Sequence, residues 1–239
     1  MWSILRTPRW AIATVVVVAV AAVFVSLGQW QLRRHAERGV ENTVNAARLA
    51  SAPTELSVAL AGAGDDLDSL SFRPVFATGV FEPQDEILVR SQVANERPGF
   101  HVVTPLVTDA GTVLVNRGWV PLAAVEPPVT SVPPPAGEVT VHGLARSSQT
   151  RPAVGPQEPS GRLSVVARID LQRLGEQFDA LTAVWIQQTD PVDGPLPIRA
   201  AIPDTGDPGP HLPYAVQWFS FAAIAVGGFA LLARRAARP

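Results

Sequence analysis

Cysteine and lysine are both absent from this chain of 239 residues, and methionine and tyrosine occur once each. Without cysteine there can be no disulfide, no thiolate metal site and no lipid-anchoring cysteine. The same absence leaves the redox compartment unmarked. All 19 basic residues are arginine, which fits a GC-rich bacterial genome and is a matter of composition, not of physics. Charged residues make up only 17% of the chain and the net charge is −2, so no basic surface for nucleic acid is indicated. Enzyme signatures are missing as well. There is no G-x-S-x-G, no P-loop, no G-x-G-x-x-G and no H-E-x-x-H. The four histidines, at 35, 101, 142 and 211, show no metal-ligand spacing. Asp65, Asp66 and Asp68 form the one acidic cluster and read as a solvated loop.

Long apolar runs are present at both ends. Trp10–Leu32 lies uncharged between Arg9 and Arg33, and Tyr214–Ala233 lies uncharged before Arg234. At 1.5 Å of rise per residue either run crosses a hydrocarbon core of about 30 Å. Arg6 and Arg9 with Ala11–Val25 imitate a signal peptide. Val25-Ser26-Leu27-Gly28 lacks a small-x-small cleavage site and the apolar run continues, so the span is expected to stay as an anchor. Arg234, Arg235 and Arg238 follow the second span, Asp204 and Asp207 precede it, and Arg199 is the last cation before it. Positive residues stay in the cytoplasm, which puts both termini inside and the middle of the chain outside. Arg33, Arg34 and Arg38 after the first span argue the other way, but long loops translocate largely regardless of charge. The expected localisation is a bacterial inner membrane, crossed twice.

Between the spans, Arg33–Leu49 is polar and helix-forming and continues the first helix outward until Pro53 stops it. Ala61-Gly62-Ala63-Gly64 reads as a loop. From Phe72 short runs rich in Val, Phe and Thr follow one another. Val75–Phe81, Glu86–Val93, Phe100–Val107 and Thr112–Val120 recur at roughly ten- to twelve-residue spacing. Turns are expected at Glu82-Pro83-Gln84-Asp85, Arg97-Pro98-Gly99 and Asp109-Ala110-Gly111. Pro127-Pro128 and Pro133-Pro134-Pro135 make a stiff linker. Further strands are expected at Val139–Leu144, Leu163–Ile169 and Leu181–Gln188, with a Pro/Gly-rich loop from Arg151 to Gly161. A short helix spans Asp170–Phe178, with Asp170 as N-cap. The fold class is therefore mixed: a helical hairpin of two transmembrane helices flanks an extracytoplasmic antiparallel β barrel or sandwich with a short helix. Its parts are a cytoplasmic N-terminus (1–9), a first span (10–32), a helical extension and loop (33–70), the β domain (71–210), a second span (211–233) and a basic cytoplasmic tail (234–239).

The unusual chemistry lies at span boundaries and in one strand. Gly28-Gln29-Trp30-Gln31-Leu32-Arg33-Arg34 closes the first span, and His211-Leu212-Pro213-Tyr214-Ala215-Val216-Gln217-Trp218-Phe219 opens the second. An aromatic belt with snorkelling arginines explains Trp30, Tyr214 and Trp218. It does not explain Gln29, Gln31 and Gln217, because an amide at a membrane edge prefers a partner. His211 reads either as a surface hydrogen-bonding group or as a metal ligand. In Val115-Asn116-Arg117-Gly118-Trp119-Val120-Pro121 the structural reading has Gly118 permitting a bend, Trp119 packing and Arg117 pairing with a carboxylate.

Taken together these segments resemble the Surfeit locus protein 1 family of cytochrome c oxidase assembly factors. The likeness spans nearly the whole chain. It also takes in Arg73-Pro74-Val75, Gly79-Val80-Phe81 and Gly99-Phe100-His101-Val102-Val103-Thr104-Pro105-Leu106. Asn-Arg-Gly-Trp-Val-Pro with His-x-x-Tyr-Ala-x-x-Trp-Phe is specific as a pair. Pro213 and the run from Pro127 to Pro135 depart from the family pattern.

The resemblance implies an assembly factor without catalysis of its own, which aids delivery of heme a, held transiently, to the oxidase catalytic subunit. Implied partners are that subunit, heme a synthase and membrane lipid, with no nucleic acid. His211 is the implied metal ligand, since neutral imidazole is a good axial ligand of iron. Trp30, Trp218 and Phe219 would flank the macrocycle, and Arg33, Arg34 or Arg117 would pair with its propionates. The competing expectations are a non-catalytic accessory subunit that stays with the oxidase or a respiratory supercomplex, and an unrelated membrane-anchored β domain.

Overall fold

The computed structural model describes residues 7–123, 126–150, 158–192 and 194–237. Arg6 and Arg238, counted above as flanking charges, and residues 151–157 of the expected Pro/Gly-rich loop lie outside the described residues. In chain order the elements are α1 (Pro8–Leu49), β1 (Thr54–Glu55), α2 (Leu56–Ala63), β2 (Pro74–Phe81), β3 (Ile87–Ala94), β4 (Arg97–Thr108), β5 (Gly111–Pro121), β6 (Glu138–Ser147), β7 (Val165–Val166), α3 (Leu171–Leu174), β8 (Val184–Gln188) and α4 (His211–Ala236). They fall into two units, a helical hairpin (Met1–Val44 with Asp204–Pro239) and a sheet domain (Asn45–Pro203).

In the hairpin, α1 begins on Pro8, whose missing N–H costs nothing in a first turn. It runs 42 residues without a break, about 60 Å at the helical rise. Its polar half carries the exposed pairs Arg34–Glu37 (2.8 Å) and Arg38–Glu41 (3.3 Å), each spaced i,i+3. Such pairs contribute a few tenths of a kcal/mol. The helix ends before Pro53, as the sequence predicts. Both α1 and α4 are long and apolar enough to cross a membrane, with mean hydropathy of 2.6 and 1.8 over their most apolar windows. Ile12, Val15, Ile224 and Leu231 stay exposed along them, a surface that water would disfavour and lipid would cover. Only small residues are buried where the two helices meet: Gly28 on α1, and Ala215, Ala222 and Ala233 on α4. Without a hydrophobic drive inside a bilayer, close backbone approach of this kind is what holds helices together.

Among the described residues the sheet domain has eight strands in the order β1-β2-β6-β8-β5-β4-β3-β7. Strand β5 sits deep within it and is buried on both faces. Val113 and Val115 join the core cluster of Leu56, Val75, Leu106 and Ile186. Leu114 joins the opposite cluster of Ile87, Val103, Leu174 and Trp185. Gly118 has φ 127° and an added Cβ would lie 2.5 Å from the carbonyl oxygen of Ile198. At this point the β4–β5 register slips between Val102 and Val103, so the bend expected here is a bulge.

Several expectations are corrected. The sheet is not a closed barrel: β1 and β7 are two-residue strands that each pair on one side only. Two rungs, Val80–Val107 and Phe81–Leu106, tie β2 back to β4. The sheet is also not purely antiparallel, because β1–β2, β3–β7 and β5–β8 are parallel. The turn expected at Arg97-Pro98-Gly99 is the start of β4. The chain reverses one step earlier, where Asn95 and Glu96 both take positive φ, as tight hairpins require. Ala61–Ala63 is helical rather than loop, because Leu56, Ala59, Leu60 and Ala63 form a stripe that packs on the first core cluster. Leu163–Ile169 contains only the two-residue β7, and Leu181–Gln188 becomes regular only at Val184. The short helix is α3, and the Asp170 side chain caps it by accepting from the Arg173 amide.

Candidate functional site

The hairpin builds its site from two facing stripes. On α4 the residues turned inward recur as His211, Ala215, Trp218 and Ala222; on α1 they recur as Phe24, Gly28, Gln31 and His35. Gly28 is the close point, for a Cβ there would lie 2.7 Å from the ring of Phe219. Below it Phe24 meets Trp218 and Phe221 with ring centroids 5.6 and 5.8 Å apart, and further along Trp10 meets Phe229 at 5.8 Å. At the polar end Asn42 donates to the Asp207 carbonyl at 3.0 Å.

Close packing at Gly28 brings Gln31, one turn on, within reach of His211. Gln31 Oε1 and His211 Nδ1 are 2.8 Å apart. The amide oxygen can only accept, so the imidazole carries its proton on Nδ1 and leaves the Nε2 lone pair free. A hydrogen bond on the remote ring nitrogen is the usual way to orient a ligating histidine and raise its basicity. The unexplained amide at position 31 thereby has its partner. Sequence reasoning passed over His35, whose Nδ1 is buried with no hydrogen-bond partner among the described residues. Its spacing of four from Gln31 and seven from Gly28 was the available signal.

The remaining expected residues are distributed differently. Trp218 is on the inward stripe. Trp30 is 47% exposed and Arg33 is exposed, both off that stripe. Arg34 is occupied by Glu37. Arg117 belongs to the sheet domain and is 5% exposed, so it is not free for an outside anion. Its Nη1 lies 3.3 Å from Glu86 Oε2 and 3.4 Å from Thr104 Oγ1, and its Nη2 donates to the Val132 carbonyl at 2.5 Å. Burial lowers its affinity for the proton and Glu86 opposes that. The structural alternative for Arg117, pairing with an internal carboxylate, is therefore the observed one. Glu86, which sequence reasoning did not single out, also accepts from Thr104 Oγ1 at 2.8 Å and from the Val129 amide at 2.7 Å. The cluster stitches the Pro-rich segment to the sheet. Among the described residues no group of three or more His, Asp or Glu could hold a metal ion.

A family model described as the SURF1 family matches residues 18–223. The chain belongs to the SURF1 family. A SURF1-like protein of Mycobacterium tuberculosis is 32% identical over 249 residues, covering 99% of this chain and 89% of the relative. A SURF1-like protein of Monosiga brevicollis is 27% identical, covering 95% and 87%. Surfeit locus protein 1 of Homo sapiens is 29% identical over 221 residues, covering 82% and 69%. The matched segment of this SURF1 chain includes most of α1, the first half of α4, Gln31 and His211 among them, and the whole sheet domain.

Proposed function

We propose that this SURF1 protein is an assembly factor for heme-copper cytochrome c oxidase, and that its hairpin binds heme a through His211 before transfer to the catalytic subunit. The observation that carries the reading is the His211–Gln31 hydrogen bond, which leaves one neutral imidazole nitrogen free at the helix start. When bound, heme a would supply an iron for the His211 imidazole to ligate and propionates for a cation to pair with. Gln31 holds the imidazole in the ligating tautomer. Trp218 and Phe24 offer an apolar aromatic surface along the same stripe. Arg33, exposed and without an ion pair among the described residues, is the cation for a propionate. A single strong protein ligand suits a carrier that must release its cargo. The protein performs no catalysis itself. Arg234 and Arg235 after the second apolar helix support a topology with both termini in the cytoplasm and the sheet domain outside.

The test is expression with heme a synthesis active, purification in detergent, and visible spectra of the wild type against His211→Ala and Gln31→Leu. The wild type is expected to carry heme a, His211→Ala to lose it, and Gln31→Leu to bind it more weakly. An unchanged spectrum in His211→Ala overturns the ligand assignment. Oxidase with full heme a content in a deletion strain overturns the assembly role, and co-purification with active oxidase at unit stoichiometry overturns transient action.

A further inference from the structure

The sheet domain holds a cavity of about 550 Å³ that the hairpin reading does not use. Its polar lining includes Arg146, Arg199, His101, Asn116 and Gln187, its apolar lining includes Trp185 and Trp119, and no Asp or Glu among the described residues lines it. The two arginines are held in place by neutral groups. Arg146 stacks over the rings of Phe72 (4.2 Å) and Trp185 (5.6 Å), and its Nη1 donates to Gln187 Oε1 at 3.0 Å. Gln187 Nε2 donates in turn to the carbonyls of Ala200 and Ala201, both at 3.1 Å. Arg199 donates to the backbone carbonyls of Asp190 and Arg117. The Asp190 carboxylate accepts from the His142 amide and from Gln188. Neither arginine makes an ion pair among the described residues. Burial lowers the proton affinity of both; at Arg199 the Asp190 charge opposes this and the Arg117 charge adds to it, while for Arg146 no anion offsets it.

Two more donors have no acceptor among the described residues. Asn116 Oδ1 accepts from the Gly118 amide at 3.0 Å, which turns its Nδ2 to donate to His101 Nδ1 at 3.1 Å. The His101 proton therefore resides on Nε2, and burial keeps the ring neutral. Trp119, 3% exposed, has its Nε1–H buried with no partner among the described residues. A half-buried cation such as Arg146 without countercharge and a buried donor such as Trp119 Nε1–H without an acceptor are costly arrangements that persist where a ligand completes them.

We propose that this cavity is a binding site for a small carboxylate anion with a flat apolar body, its carboxylate on Arg146 and Arg199 and its body against Trp185. Arginine is suited to bidentate carboxylate recognition, and aromatic walls with a few convergent donors are the usual form of a small-molecule site. The site is independent of the heme a reading and would stand if that reading fell.

The probe is benzoate, titrated into the full chain in detergent by calorimetry and tryptophan fluorescence, with benzamide as its uncharged analogue and inorganic phosphate as an anion without an apolar body. Saturable benzoate binding is expected, at least tenfold tighter than either analogue. Arg146→Gln is expected to weaken it at least tenfold. Ala201→Trp, at an exposed position on the lining, is expected to abolish it by filling the mouth, and it serves if Arg146→Gln does not fold. His211→Ala is expected to bind benzoate as the wild type does. Equal binding of benzoate and benzamide, phosphate binding as tight as benzoate, or unchanged binding in Ala201→Trp would each overturn the proposal.

Discussion

Replacing Glu86 by glutamine is the sharpest test of how the sheet domain is held together. The carboxylate is 3% exposed and serves three donors: Thr104 Oγ1, the Val129 amide and Arg117 Nη1. Glutamine keeps the volume and one acceptor oxygen. It removes the charge and points an NH2 at a position that now faces a donor. Arg117 stays protonated and is left buried beside a neutral group, and breaking one side of a buried pair costs about 3–5 kcal/mol. Loss of one of the neutral hydrogen bonds adds about 1 kcal/mol, for an expected total of about 4–6 kcal/mol. Domain stabilities are only about 5–15 kcal/mol, so the variant should sit near the edge of folding. Urea denaturation of the full chain in detergent, followed by tryptophan fluorescence, measures the loss. Hydrogen exchange at the Val129 amide localises it. The double variant Glu86→Leu with Arg117→Met should cost less than either single change, because it removes both charges at once. A Glu86→Gln penalty below about 1 kcal/mol, or additive single and double variants, would refute the claim that the pair is coupled and structural.

Three further outcomes are expected. Gly28→Leu drives a side chain into the Phe219 ring, where even a Cβ would be 2.7 Å away, and should cost about 1–3 kcal/mol of overpacking. The His211–Gln31 bond should break with it, read as loss of the Nδ1–H signal in 15N-histidine spectra; a retained signal means the close approach does not position Gln31. Gly118→Ala meets both a φ of 127° and the Ile198 carbonyl, and a loss of about 1–3 kcal/mol is expected in thermal melts; a neutral effect would show that the bulge relaxes freely. His101 is pushed down from 6.5 to about 4 by burial. Its unfolded form takes up a proton first, so the stability it contributes is full above about pH 6.5 and is lost as pH falls towards 4. The loss amounts to roughly 3 kcal/mol at most. His101→Gln should flatten that slope in pH-dependent unfolding, and an unaltered slope would acquit His101.

What the sequence disclosed follows from the range of the interactions involved. The apolar spans, the unbroken extension of α1, the Asp170 cap and most β runs are written in local composition and periodicity, and they could be read residue by residue. The stripe of Leu56, Ala59, Leu60 and Ala63 was also local, but the glycines around it masked it as a loop. Strand order was hidden, because parallel partners such as Val115 and Ile186 are far apart in the chain and no hairpin turn announces them. Gln31 stood out as an amide wanting a partner, while the partner, His211, lay at the other end of the chain. Glu86 gave no sign, since one carboxylate among valines looks like any surface acid until Arg117 is placed opposite. The cavity behind Arg146 draws its walls from five strands and several separate loop segments, and no window of sequence contains it.

Strand β8 has a consequence for biosynthesis. It lies between β6 and β5, antiparallel to one and parallel to the other, so the facing edges of two strands finished by Ser147 are bridged by Val184–Gln188. A chain emerging from the ribosome or a translocon offers the open edges of β5 and β6 for the whole interval before β8 arrives. With β4 and β2 already available on their other sides, only these facing edges wait, and both are ready to pair with a stray strand. The domain closes late, around its last strand. Synthesis of the chain through Gln188, rather than the speed of any hairpin, sets the moment at which it can fold.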